Sequence, residues 1–122
     1  MKTIRVENKS LPLSASLHAG YCNSFFGRLR GLMFRSHLNE DDGLLLVEGH
    51  ESRIDTSIHM LVVFMDLGVV WINSNNEVVD TVLAKSWRPM YLPRQAARYT
   101  LEIHPDRLTE FKVGDHLEFQ DA

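Results

Sequence analysis

The chain reads as a mainly β protein, a compact two-sheet sandwich or distorted barrel with one short α-helix. Three observations predict this. Apolar and polar residues alternate in several short runs, the pattern of half-buried strands. Turn signals recur between those runs. One stretch alone, after Asn23, repeats apolar residues at helical steps. Strands at this spacing suit a sandwich or barrel better than βαβ units.

The elements follow in order. Ile4 and Val6 alternate with Thr3, Arg5 and Glu7, a strand, and Asn8 to Ser10 turn the chain. Leu11, Leu13, Ala15 and Leu17 alternate with polar residues and predict a second strand, placed at a sheet edge by Pro12. Asn23 or Ser24 caps a short helix whose apolar face is Phe25, Phe26, Leu29, Leu32 and Met33. Gly27 and Gly31 weaken it, each by roughly 1 kcal/mol, so it is expected to end near Gly31.

After the acidic turn Asn39 to Gly43, the unbroken run Leu44 to Val47 predicts a strand covered on both faces, and Glu48 to Arg53 a loop. Ile58 to Ile72 is the most apolar stretch, one bent strand or two, interrupted by Asp66-Leu67-Gly68. Asn73 to Asn76 joins it to Glu77–Leu83 as a hairpin. Tyr99, Leu101 and Ile103 mark another half-buried strand, ended by Pro105, and Val113-Gly114-Asp115 turns into the last one, His116 to Phe119. The total is about eight short strands and one helix.

The 122 residues fit a single domain over 1–122. An apolar fraction of 44% with 24% charged residues excludes a disordered composition. The net charge of -3 offers no basic excess, so no nucleic acid is expected as a partner. No apolar run approaches the ~20 residues of a membrane span, and Met1 to Val6 lacks the apolar core of a signal peptide. Cys22 stands alone and can form no intrachain disulfide. These features predict a soluble cytoplasmic protein with no membrane partner.

Several blocks, in order, resemble the uncharacterised family called domain of unknown function 192. Arg30-Gly31-Leu32-Met33-Phe34-Arg35 is similar to its Arg-Gly-Leu-Met block, and Asp41-Asp42-Gly43-Leu44 to its acidic-glycine turn. Ser57-Ile58-His59-Met60, Val69-Val70-Trp71-Ile72, Tyr91-Leu92-Pro93, Ala97-Arg98-Tyr99-Thr100-Leu101-Glu102 and Val113-Gly114-Asp115 continue the match. Each motif is short, and their shared order carries the resemblance. It implies a compact, mainly β fold with a short helix and no established reaction. One place departs. The family's Pro-Ile/Leu-Asp is Asp66-Leu67-Gly68 here, and Asp66, two positions from Gly68, is expected to replace part of the missing carboxylate.

No catalytic set stands out. The six histidines share no short ligand spacing, so no metal site is expected, although Asp55 and His59 would share a strand face. Cys22 reads as a small buried hydrophobe, Glu40, Asp41 and Asp42 as a solvated turn, and Trp71 as core. No Walker or dinucleotide motif occurs, and no cofactor is expected. Arg28, Arg30 and Arg35 admit two uses: binding an anion, or, for Arg30, pairing with Asp66 to hold the helix on the sheet. His59 in its apolar run is either a core histidine or a ligand, and Trp87 beside Arg88 is either exposed or under a loop.

Two functions remain open. One is a binding or interaction module that holds a small anionic ligand or a protein partner on Arg30, His59, Asp66, Trp87 and Arg88. The other is a hydrolase-like enzyme built on Asp55, His59 and Asp66. A structural subunit of a larger assembly is a third, blander possibility.

Overall fold

The computed structural model describes residues 2–23, 37–58, 60, 63–88 and 90–122. The helix expected after Asn23, its three arginines and His59 lie outside these residues. The described residues form seven strands: β1 (Lys2–Asn8), β2 (Leu17–Cys22), β3 (Asp42–Ser52), β4 (Leu67–Ile72), β5 (Val78–Ala84), β6 (Ala97–Ile103) and β7 (Leu117–Asp121). The mainly β architecture is as the sequence predicts, and the strands join in one sheet of order β5-β4-β6-β3-β2-β1-β7. All neighbours are antiparallel except β2 and β3. A parallel pair needs a crossover of a dozen or more residues, and the chain between Cys22 and Asp42 supplies it.

The sheet is open but strongly curled. Each strand sends apolar side chains to the inside of the curl, including Val6, Leu17, Leu45, Val70, Val78, Leu101 and Leu117. The edge strands β5 and β7 nearly meet at one end. There Glu77 bridges His116, the Val78 amide donates to the Asp115 carbonyl at 2.8 Å, and the Leu117 amide donates to the Asn76 carbonyl at 2.8 Å. Gly114, at φ +95°, makes the turn that allows this approach.

The centre of the sheet is also covered outside. Leu44, Leu46, Leu67, Val69 and Trp71 pack under Leu38, Ile58, Met60 and Val63. The unbroken apolar runs thus have the meaning expected of them: all six residues of β4 are buried, alternating between the two cores. The hairpin at Asn73–Asn76 also forms, with the Asn73 side chain accepting the amides of Asn75 and Glu77 at 2.9 and 3.0 Å.

Three local expectations are corrected. Residues 11–16 are not a strand. Their backbone groups are taken by side chains: Asn8 Oδ1 accepts the amides of Ser10 and Leu11, Glu110 accepts that of Ser14, and Arg107 donates to the carbonyl of Ala15. Glu48–Ser52 is not a loop but the polar continuation of β3, which pairs again with β6 beyond an irregularity, Ser52 opposite Ala97. The apolar stretch from Ile58 yields a strand only from Leu67 on. Ile58 makes one bridge to Tyr91, and the buried residues before Asp66 cover the outer core instead of joining the sheet. Apolar composition reports burial there, not pairing.

Pro105, which in the sequence simply ends a strand, opens the 3-10 helix Pro105–Glu110. From it the buried Arg107 reaches across the molecule. It pairs with Glu110 and donates to the carbonyls of Glu40 at 2.9 Å and Ala15 at 2.8 Å. One guanidinium therefore ties the loop before β2 and the turn before β3 to the helix. Among the described residues no helix is long and apolar enough to cross a membrane. Replacing Arg107 by Met strands a partly buried Glu110 and two carbonyls. We expect a loss of about 3 kcal/mol in urea unfolding; unchanged stability would refute the clamp.

Candidate functional site

The outer core is roofed by two segments that run antiparallel. The Ile58 and Tyr91 backbones exchange two hydrogen bonds, the Met60 amide donates to the Arg88 carbonyl at 3.0 Å, and the Trp87 amide donates to the Met60 carbonyl at 2.7 Å. The sequence does this because Ile58 and Met60 are apolar side chains that bury against the sheet. The next residues along the roof point outward. Trp87 is 50% exposed, Phe64 47% and Met90 58%. The rings of Phe64 and Trp87 lie 5.5 Å apart, tilted by 48°.

Trp87 has φ +66°. A bulky side chain in this left-handed region costs about 1–3 kcal/mol, and such conformations gather at functional sites. Arg88 beside it is exposed, and its guanidinium has no partner among the described residues. Asp66 contacts the residues just before them. It accepts the Ser86 amide at 2.8 Å and lies 3.5 Å from the Lys85 ammonium, so it shapes the turn that presents Trp87. A Cβ on Gly68 would lie 3.1 Å from both Ile103 Cγ1 and Leu108 Cβ, so the 3-10 helix leans where a side chain would be.

The other sequence candidates are dispersed. Asp55 pairs with His50 at 3.1 Å, both well exposed. Cys22 is buried and Trp71 is core, with its indole N–H donating to the Thr56 carbonyl at 2.7 Å. Arg30 and His59 lie outside the described residues. Asp66 contacts the turn at Lys85 and Ser86 that leads into Trp87 and Arg88; Asp55 has its own partner elsewhere.

Two features were not among the sequence candidates. Glu40, His104 and Asp106 place potential ligand atoms within 4.8 Å of one another. His104 Nδ1 already accepts the Asp106 amide at 3.1 Å and so caps the 3-10 helix, and a cation would have to compete with that bond. His104 also borders a notch of about 180 Å³ with His37, Leu38, Met65 and Asp66.

The second feature is Glu102. Leu101 and Ile103 face the inner core, so Glu102 points to the outer face, directly between Leu44 and Val69. It is buried, and its Oε1 finds no hydrogen-bond partner among the described residues. Burial alone pushes its carboxyl up to about 7. The only earlier sign was its place at the end of the Ala97–Glu102 block.

Fold and site together define a curled single-sheet β domain with an aromatic roof over its outer core and no assembled catalytic set among the described residues. The chain belongs to the family described as uncharacterised ACR, domain of unknown function 192, whose profile matches residues 6–119. A UPF0127 protein of Thermococcus kodakarensis is 40% identical over 95 residues, covering 76% of this chain and 59% of the relative. One of Pyrococcus furiosus is 37% identical over 102 residues, covering 81% and 84%. The chain spans about half to three-fifths of the length of the Thermococcus relatives that it matches. The crystal structure of a Sinorhizobium meliloti protein shares the fold with a TM-score of 0.81 at 20% identity, over 97% of this chain and 92% of that one. The family is uncharacterised, and its relatives establish no specific reaction.

Glu102 gives a pH signature. Its folded-state pKa is raised, so the folded chain holds a proton that the unfolded chain releases. Stability is full below about pH 4.5, falls as pH rises, and has lost about 3 kcal/mol from this group once the pH passes about 7. Glu102→Gln should leave the melting temperature at pH 4.5 nearly unchanged and raise it at pH 8. A variant no more stable than wild type at pH 8 would show that the carboxyl is not the buried acid described.

Proposed function

We propose that the chain is a binding module that engages a protein partner through the roof face at Phe64, Trp87, Arg88 and Met90. The observation that carries this is Trp87: a large aromatic residue, half exposed, held at φ +66° and ringed against Phe64. Core stability gives no reason to place tryptophan there, because glycine would adopt the backbone without strain. Exposed Trp, Arg and Met together have the composition of an interface centre. Arg30 and His59 were expected on the same surface, and a small anionic ligand at Arg88 is the lesser form of this reading.

The enzyme alternative around Asp55, His59 and Asp66 has less support, since Asp55 holds His50 and Asp66 holds the Ser86 amide. We place the module in the cytoplasm, a setting that suits its single unoxidised Cys22.

A photo-reactive side chain at position 87 should cross-link discrete protein adducts in the native host, and one at the exposed Val113 should not. Adducts equal at both positions would sink the reading. Trp87→Gly should keep the melting temperature within about 5 °C, because relieved strain offsets the lost ring contact.

A further inference from the structure

The geometry points to a partner segment that is acidic and apolar together: a carboxylate that pairs with Arg88, beside an aliphatic or aromatic side chain that packs on the Phe64 and Trp87 rings. This rests on the roof face being a protein-binding surface, as above, and it specifies the chemistry of what binds.

Charge is the first argument. Residues 85–98 carry Lys85, Arg88, Arg94 and Arg98 and no Asp or Glu, in a chain whose net charge is -3. The segment that forms half of the roof therefore has the sign opposite to the whole. What these cations already hold is the second. Lys85 lies 3.5 Å from Asp66, Arg94 lies 3.6 Å from Asp80, and Arg98 donates its Nε–H to the Glu48 carbonyl at 3.0 Å. Arg88 alone of the four has no side-chain partner among the described residues, and it is exposed next to the aromatic pair. A guanidinium offers a planar fork that a carboxylate meets with two parallel hydrogen bonds. The neighbouring rings would exclude water from that pair and take up the apolar part of the segment.

The number of unpaired cations among the described residues of this face favours one partner class. Recognition of an anionic lipid surface uses clusters of about 4–8 Lys or Arg, and nucleic acid binding likewise neutralises several phosphates. Among the described residues of the roof, one unpaired guanidinium beside two rings falls short of both. It is sufficient for a single carboxylate within an apolar contact.

The test selects short random peptides displayed on phage against the immobilised full chain, then measures each by fluorescence anisotropy. Peptides should be enriched in Asp or Glu close to Leu, Phe or Trp. Arg88→Glu should weaken their binding at least about tenfold, Arg88→Lys should restore only part of it, and a peptide with its carboxylate changed to Lys should prefer the Arg88→Glu chain. Circular dichroism of each variant confirms the fold. Peptides that lose binding with Trp87→Ala but carry no carboxylate, or tolerate Arg88→Glu, overturn the acidic assignment and leave the binding face standing. Failure to enrich any peptide, or binding indifferent to Trp87→Ala, overturns both. Trp87-dependent pelleting with vesicles of phosphatidylcholine and phosphatidylglycerol in equal parts would give the face to a membrane and overturn the proposal.

Discussion

β6 runs between β3 and β4, and the middle of all three strands is covered on both faces. Much of the molecule follows from that double burial. A sheet buried on one side can leave polar residues on the other. Here the outer face is apolar too, so segments outside the sheet must roof it. Residues near Ile58 and Met60 do so, and the chain from Trp87 to Tyr91 is drawn alongside them by main-chain hydrogen bonds. The roof has its own outside, and Phe64, Trp87 and Met90 are on it. The surface proposed for binding is thus a by-product of covering the second core.

The same constraint traps Glu102. It occupies a position whose neighbours on both sides, Leu44 and Val69, belong to the outer core. Among the described residues no counter-charge faces an ionised carboxylate there, and burial favours the protonated form. Arg107 shows the opposite solution for a buried charge. It too is almost wholly covered, but a carboxylate and two close carbonyls surround it. Burial of one ionisable group is met by a raised pKa, that of the other by partners.

Strand identity was legible wherever side-chain pattern and backbone pairing agreed. Ile4 and Val6, the Leu44–Val47 run, the Asn73 hairpin and the final strand are of this kind. The reading failed where the two parted. Leu11 to Leu17 alternates like a strand, yet Asn8, Glu110 and Arg107 claim its backbone. The apolar residues ahead of Asp66 are buried without joining the sheet. Of the candidate site, Trp87 beside Arg88 was legible as a candidate for an exposed binding residue, and Asp66 was legible as a departure from the family pattern. Their shared surface with Phe64 was not, because it depends on a bridge between segments about thirty residues apart.

The sequence by itself determined the β class, the family and the absence of a recognisable catalytic motif, since each depends on residue types at short spacing. Tertiary structure decided which polar residues are buried and which aromatic ones are presented. Alternation makes Glu102 the outward residue of a half-buried strand; only the placing of that strand between two others, each covered on both faces, turns its outside into a second interior. Burial is a property of what lies across a strand, and no local pattern records it.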